Sequence, residues 1–526
     1  ATVLAANVTV TNGAASFTTS ALAVGVHAIT AVYSGTTNFG TSTGSMAQTV
    51  DGSGPCPTYT GNIAYVNASV PVGTNDGTTW ARAFLTLQEA LDAARTCGVT
   101  QIWVAQGTYL PTTYPIGAAT STSFGGGTLS SADFSFHLVD GVAIYGGFSG
   151  SGTETQLSQR NWRQNPTLLS GSNALNHVVT SANDGLATRL DGFTITGGRA
   201  NATTQLTVEG QSFGGTQGAG VYLQNSSVTL NNLLISGNSC PATDFTGGQG
   251  GGMAMQGGAS VLTNVAFVGN SAYSGGGLSA SSTFTMTNGV FSGNTANAGG
   301  GGMIVSGGSR TLTNVVFANN RATRTDISGA LGGAMTNNGG GTTLVNCTFF
   351  GNSAGGAGGV MYNVNGANVT NKNGIFYGNS APTSPDVHNN PNPFDPLSYT
   401  ATTTLTGTDP KFVNSADPDG PDNVWMTADD GLALQSNSPA INAGTAAGAP
   451  ATDILGATRT GNPDQGAYEY NPCANPTAFA LTGGGSLCTG GTGVAVGLGG
   501  SETGVTYQLT RHGTNVGSAV PGTGSA

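Results

Sequence analysis

Through the middle of the chain, apolar and small residues alternate with period two in short runs that end in a turn signal. "TNVAFVGN", "TNGVFSGN", "TNVVFANN" and "VNCTFFGN" are successive examples. Period-two alternation closed by Gly-Asn predicts strands, and nothing in these runs has helical spacing. The turns close on Asn238, Asn270, Asn294, Asn320, Asn352 and Asn379. Six positions before each stands a second Asn: Asn232, Asn264, Asn288, Asn314, Asn346 and Asn373. Three positions before each stands a large apolar residue: Ile235, Phe267, Phe291, Phe317, Phe349 and Phe376. Small-residue blocks such as Gly250 to Gly252, Gly275 to Gly277 and Gly300 to Gly302 precede the units. A strand-and-turn unit of about 25 residues cannot bury its apolar face alone, so successive units must stack. The two longer spacings carry polar stretches at 239–249 and 321–331 without losing register.

Stacked parallel coils place equivalent residues above one another at a rung spacing of ~4.8 Å. Asn side chains then form ladders along the axis, and Phe rings fill a narrow core. Glycine supplies the positive φ that tight corners demand. Upstream, "FHLVDGVAIYGGFSG", "NPTLLSGSNALNHVVTS" and "ATRLDGFTITGG" read as less regular coils punctuated by Asp-Gly and Gly-Gly. Before them, Thr86 to Glu89 forms a capping box that predicts a helix with apolar positions Leu87, Ala90, Leu91 and Ala94. One amphipathic helix ahead of a solenoid caps its open first rung. The expected fold is all-β: a parallel solenoid with an N-terminal capping helix.

Composition then narrows the function classes. Of 526 residues 87 are Gly, and only 7% are charged, far below an ordinary globular domain. Glycine lacks the collagen period, and a 37% hydrophobic content is too high for a disordered chain. In stacked coils, scarce charge avoids like-charge repulsion at rung distance. With 13 basic against 24 acidic residues, no phosphate-binding footprint is present, which argues against a nucleic-acid partner. No apolar run reaches the ~18 to 20 residues of a membrane span. The chain reads as a segment that continues into further domains at both ends.

"TWARAFLTLQEALDAA", "IWVAQGTYLPT", "VAIYGGFSG", "LDGFTITGG" and the "GGG…TNVxFxGNSA" units together resemble right-handed parallel β-helix proteins of the pectin-lyase-like superfamily on bacterial surfaces. "DPKFVN", "SPAINAG" and "GAYEY" resemble the end of such regions, the choice-of-anchor type. Residues 1–52 resemble part of a bacterial Ig-like β-sandwich, and residues 471–526 resemble the first part of the Ig-like repeats in giant Bacteroidota adhesins, including gliding-motility adhesins. On this resemblance residues 53–82 are a linker and the start of the β-helix, and residues 83–470 are the β-helix with its cap. The resemblance implies a secreted segment on the outer-membrane exterior, exported by type IX secretion.

The densest constellation of candidate ligands is "NSADPDGPDNVWMTADDG". Asp417, Asp419 and Asp422, with a turn at Gly420 and with Asp429 and Asp430 to close the shell, offer the hard oxygens that calcium takes. The alternative is an Asx-rich surface turn held by its own hydrogen bonds. Among the six cysteines, Cys56 and Cys97 flank the first strand and the helix and are placed to bridge. Cys473 and Cys488 form a second expected pair, Cys347 occupies an apolar coil position, and Cys240 has no assigned partner. No spacing suggests zinc.

Catalysis needs acids, bases or cations on one face. Between Glu209 and Glu469 there is no Glu, and residues 218–380 carry only Asp244, Arg310, Arg321, Arg324, Asp326 and Lys372. Asp140, Asp184, Asp191 and Glu209 could converge upstream, but Asp140 and Asp191 precede Gly and read as turn residues. His137 and His177 read as solvent-facing polar positions, and the Phe stripe reads as core. The expectation is therefore no catalytic residue and no enzyme: a structural or adhesive surface segment of the gliding or biofilm adhesin type. Its inserts at 199–217, 239–249 and 321–331 would contact surface glycans. A polysaccharide lyase or hydrolase and a non-binding mechanical stalk are the alternatives.

Overall fold

The computed structural model describes residues 25–37, 40–50, 56–120, 128–202, 205–241, 248–324, 330–391, 395–471, 479–485, 493–502, 505–511 and 514–524. Contacts divide these residues into two compact units, one running to Val261 and the other starting at Leu262. Each is built from parallel β-helix coils. No helix among the described residues is long and apolar enough to cross a membrane.

The first unit begins with an antiparallel hairpin, Gly25–Tyr33 against Ser42–Val50. Its coils then stack in parallel: Ile63–Val66 on Gln101–Ala105, then Ala143–Phe148, Arg189–Gly198 and Thr229–Ser236. The predicted helix is present at Leu87–Cys97, with both halves of the Thr86–Glu89 capping box formed and a left-handed Gly98 ending it. It buries Leu87, Ala90 and Leu91, with Ala93 rather than Ala94 completing the apolar face. A disulfide joins Cys56 to Cys97, as the sequence suggested. Tyr65, Trp80, Trp103 and Phe148 pack the first coils; Trp103 and Phe148 stack at 4.7 Å.

In the second unit the repeat register appears directly. Phe291 lies opposite Phe317, and Phe317 opposite Phe349. Their rings stack at 4.7–4.8 Å from Phe267 to Phe349, within 5° of parallel. At Phe376 the ring turns edge-on, at 89°. Phe267, Phe291, Phe317 and Phe349 are wholly buried, and each contributes on the order of 2 kcal/mol of apolar burial. The Gly-Asn ladder is continuous from Asn270 to Asn379. Each Asn Nδ2 donates to the next Asn Oδ1 at 2.9–3.0 Å, and from Asn294 onward each also donates to a Phe carbonyl of the previous coil.

The second Asn series does something the sequence reading did not specify. Asn264, Asn288, Asn314, Asn346 and Asn373 all have φ between 52° and 54°, so they are the corner residues themselves. Asn is the side chain best suited to that left-handed conformation after Gly. Their ladder runs from Asn264 through Asn288 to Asn314 and is interrupted there. Arg459 Nη2 donates to Asn314 Oδ1, and Asn346 Nδ2 donates to the Asp464 and Gly466 carbonyls. Glycine is demanded twice over: Gly300 for its φ of 64°, and Gly301 because a Cβ would come within 2.3 Å of the Gly333 carbonyl oxygen.

Coil strands end at Leu405–Thr406, well before residue 470. From there to residue 470 the chain is turns and short bridges, such as Phe412 to Leu434, that lie along the coils of their own unit. A buried pair, Arg459 Nη1 to Glu469 Oε2 at 2.9 Å, holds this segment together. Beyond it the described residues form short antiparallel pairs, including Leu481–Gly483 with Val496–Leu498. Cys473 and Cys488 lie outside the described residues.

Candidate functional site

Five ionisable side chains come together in the first unit. The helix supplies Arg95, and the short strand Phe136–His137 supplies His137, which lies opposite Thr180. The turns after successive coil strands supply Asp140 and Asp184. Glu209 comes from a hairpin, Gln205–Val208 against Gln211–Gly214, inside the 199–217 insert. Its two-residue turn, Glu209-Gly210, has positive φ at both positions, 51° and 75°. That geometry matches the right-handed twist of the flanking strands.

The hairpin is not the free contact loop expected of this insert. Leu206, Val208 and Phe213 are buried against Ala182, Tyr222 and Ala254. Asn183 Nδ2 holds the tip by donating to the Glu209 carbonyl at 3.1 Å. The half-exposed Glu209 carboxylate thereby reaches within 3.6 Å of His137 Nε2.

His137 is 2% exposed, which corrects its assignment to a solvent-facing position. Its Nδ1 meets Thr180 Oγ1 at 3.0 Å, while Nε2 has no hydrogen-bond partner. Arg95 Nη2 donates to the His137 carbonyl at 2.8 Å. His177 is buried as well, but it lies apart from this group in register and donates from Nδ1 to the Gly218 carbonyl. Burial pushes its pKa down to about 4, so it is neutral at physiological pH.

The two inner carboxyls are driven apart. Burial pushes the Asp184 carboxyl up to about 6, against a Ser181 hydroxyl hydrogen bond that favours its charged form. The Glu209 carboxylate is held below its ordinary range, first by its 3.6 Å contact with His137 and further by the Arg95 guanidinium. A carboxyl raised to about 6 near one held below its ordinary range, with a guanidinium close to both, is the kind of separation that general acid–base chemistry uses. Asp140 faces the same group; its Oδ1 accepts from Gly185 N–H at 2.8 Å, so the turn-residue reading of Asp140 holds.

Asp191 does not join them and is not a turn residue. It lies inside the strand Arg189–Gly198, buried, paired with Arg160 at 2.7 Å and accepting from Asn232 at 2.8 Å. The cluster was hard to see because Arg95, the His137–Asp140 segment, Asp184 and Glu209 come from four stretches far apart in sequence. The available signal was "QLTVEGQSFG", in which Glu-Gly between two alternating runs marks a hairpin.

In the 417–430 loop three of the five aspartates are engaged in hydrogen bonds. Asp422 Oδ1 accepts from Val424 N–H, Asp429 accepts from Asp422 N–H and the Thr427 hydroxyl, and Asp430 is turned inward. Asp430 is 1% exposed and accepts from Tyr468 Oη at 2.7 Å; burial pushes its pKa up to about 7. Asp417 and Asp419 are partly exposed. Among the described residues no three His, Cys, Asp or Glu side chains gather to hold a metal ion. Asp422 and Asp429 thus bond within the loop, as in an Asx-rich turn. Cys240 and Cys347 are buried free thiols, each pushed up to about 12 by burial.

No protein-family model matches the chain, and no curated protein matches it. Among solved structures, that of pectate lyase Pel9A is similar in fold at 15% identity and a TM-score of 0.42, over 78% of this chain and 96% of that one. The expectation that this chain is not an enzyme is corrected on that finding. That solved structure is of an enzyme.

Proposed function

We propose that this chain is a glycan-engaging segment of a large secreted surface protein, with the Glu209 cluster as a point of contact. The observation that carries the reading is the half-exposed Glu209 carboxylate, kept ionised above the buried His137 and flanked by Arg95 and Asp184. An ionised carboxylate accepts from two sugar hydroxyls at once, and the guanidinium donates to ring or carbonyl oxygens. The antiparallel hairpins on either side of the coils suit Ig-like spacers in a surface protein of the adhesin type, exported by type IX secretion and displayed outside the outer membrane. The separated pKa values of Asp184 and Glu209 favour a second reading, in which the same cluster cleaves the glycan it binds.

One experiment addresses both. The wild-type chain and Glu209→Gln are applied to a glycan array, and the same glycans, polyuronates and neutral polymers together, are incubated with each and assayed for released ends. Retention that depends on Glu209 without released ends supports attachment, and release that depends on Glu209 supports processing. A protein that neither binds nor cleaves would be a mechanical stalk, and the proposal would fail.

A further inference from the structure

The last coil of the second unit is hollow. Its strands Val387–Asn389, Ser398–Thr402 and Leu405–Thr406 stack in register on the coil below. The inward position that carries Phe317, Phe349 and Phe376 in successive coils carries Thr406 in this one. A second inward column runs through Met286, Leu312, Leu344 and Asn371 and ends in Ala401. Small side chains thus stand where the lower coils place large ones. The space left is a cavity of about 500 Å³, whose lining includes Asp386, Val387, Tyr399, Ala401, Thr404 and Thr406. Phe376, one rung below Thr406, forms its floor, with its ring turned 89° from that of Phe349.

The replacements are polar as well as small. Asp386 stands before Val387, which lies opposite Met361, so it takes the place that Ala334 and Val360 hold in the two coils below. Thr406 Oγ1 donates to Asp386 Oδ2 at 2.7 Å. A carboxylate offers about four lone-pair sites, and Thr406 takes one of them. Asn371, wholly buried behind the wall, donates to Thr404 Oγ1 at 2.8 Å, which leaves the Thr404 hydroxyl proton to donate elsewhere. Burial pushes the Tyr399 phenol up to about 12, so it keeps its proton and stays a donor. A coil end that needed only a lid would be apolar throughout. This hollow joins an aromatic floor and wall to a carboxylate and hydroxyls, with no cation in its lining.

We propose that this hollow binds the terminal pyranose of a neutral glycan. The apolar face of a pyranose packs on aromatic rings, while its hydroxyls donate to Asp386 and accept from Thr404. The volume lies within the ~300–1,000 Å³ of small-molecule sites, which pair apolar walls with a few placed polar groups. Phe376 and Phe349 fill the axis below, so a glycan is held by its end rather than threaded along the coils. A carboxylate in the lining, without a guanidinium or ammonium, selects against uronates. The site goes beyond the contact at Glu209: it lies in the other unit and shares none of its residues.

Saturation-transfer difference NMR tests it, on the full chain carrying Glu209→Gln so that the first contact does not contribute. The probes are methyl glucoside, galactoside, mannoside and N-acetylglucosaminide, with methyl glucuronide as the charged comparison. At least one neutral glycoside should receive saturation, and the glucuronide at least fivefold less. Adding Thr406→Phe, which restores the residue of the coils below and fills the hollow, should cut the signal at least tenfold without lowering the melting temperature. Adding Asp386→Asn should cut it at least threefold. Silence towards all four neutral probes, full signal after either added substitution, or an equal response to the glucuronide would each overturn the assignment. So would self-association that Thr406→Phe abolishes with no glycoside bound, which would give the hollow to a second copy of the chain. Any of these failures leaves the Glu209 reading to its own array experiment.

Discussion

Asn320→Ala is the sharpest perturbation of the stacked coils. Asn320 is wholly buried. Its Oδ1 accepts from both the N–H and the Nδ2 of Asn294, at 3.1 and 2.9 Å. Its Nδ2 donates to the Phe291 carbonyl and to Asn352 Oδ1, at 2.8 and 2.9 Å. After truncation, Asn294 Nδ2 keeps the Phe267 carbonyl, and Asn352 Oδ1 keeps the backbone N–H of residue 320. The Asn294 N–H and the Phe291 carbonyl each lose this bond. Two buried groups that each lose this bond at ~1–3 kcal/mol give an expected loss of about 2–6 kcal/mol. Asn379→Ala, at the half-exposed end of the same ladder, should lose only ~1 kcal/mol, since water replaces the missing partner. Urea unfolding followed by far-UV circular dichroism measures both. Equal losses for the two variants, or a loss below ~0.5 kcal/mol for Asn320→Ala, would refute the claim that the ladder is a buried, fully bonded network.

Arg310 is 3% exposed, faces the coil interior, and has no carboxylate within ion-pairing distance among the described residues; Nε and Nη1 have no hydrogen-bond partner. Arg310→Met should therefore raise the urea midpoint by the equivalent of about 1 kcal/mol or more, and a loss instead would contradict that reading. Asp430 has a folded-state pKa raised to about 7, so its contribution to stability is greatest below the unfolded value near 4 and is lost as pH rises to 7. Asp430→Asn should accordingly melt a few degrees higher than wild type at pH 8 and show no such gain at pH 4; an equal effect at both would oppose it. Millimolar chelator should leave the melting temperature unchanged, because Asp422 and Asp429 bond within their own loop and Asp430 to Tyr468; a clear drop would support calcium binding there. Cys240 and Cys347 should resist a thiol reagent in the native protein and react after denaturation, and rapid native labelling of either would contradict their burial.

Much of this architecture was legible because a stacked repeat writes each structural requirement several times. The Phe stack, the Gly-Asn ladder and the helix cap all follow from spacing alone, even where Asn319 replaces the turn glycine before Asn320 and takes the same positive φ, 55°. Less was legible where one position answers to two constraints. The second Asn series reads as another ladder, yet its members first serve as left-handed corners, and Arg459 takes the place of a ladder partner at Asn314. The candidate site was the least legible part. Its carboxylates were visible, but the Gln205–Gly214 hairpin folds Glu209 back onto His137, and a contact between residues so distant in sequence leaves no periodic trace. The same hairpin explains why an insert expected to be exposed is half core. In the 417–430 loop composition showed the acidic residues but not their directions: the backbone turns Asp430 inward to Tyr468 and spends Asp422 and Asp429 on the loop's own N–H and hydroxyl groups.

The central claim, that Glu209 and the groups beneath it engage a glycan, is tested most directly by calorimetric titration of the best array ligand into the wild-type chain and into Glu209→Gln. The substitution keeps the size of the side chain and removes its charge. The account predicts at least tenfold weaker binding for Glu209→Gln, with an unchanged melting temperature. Equal affinity in the two proteins would contradict it.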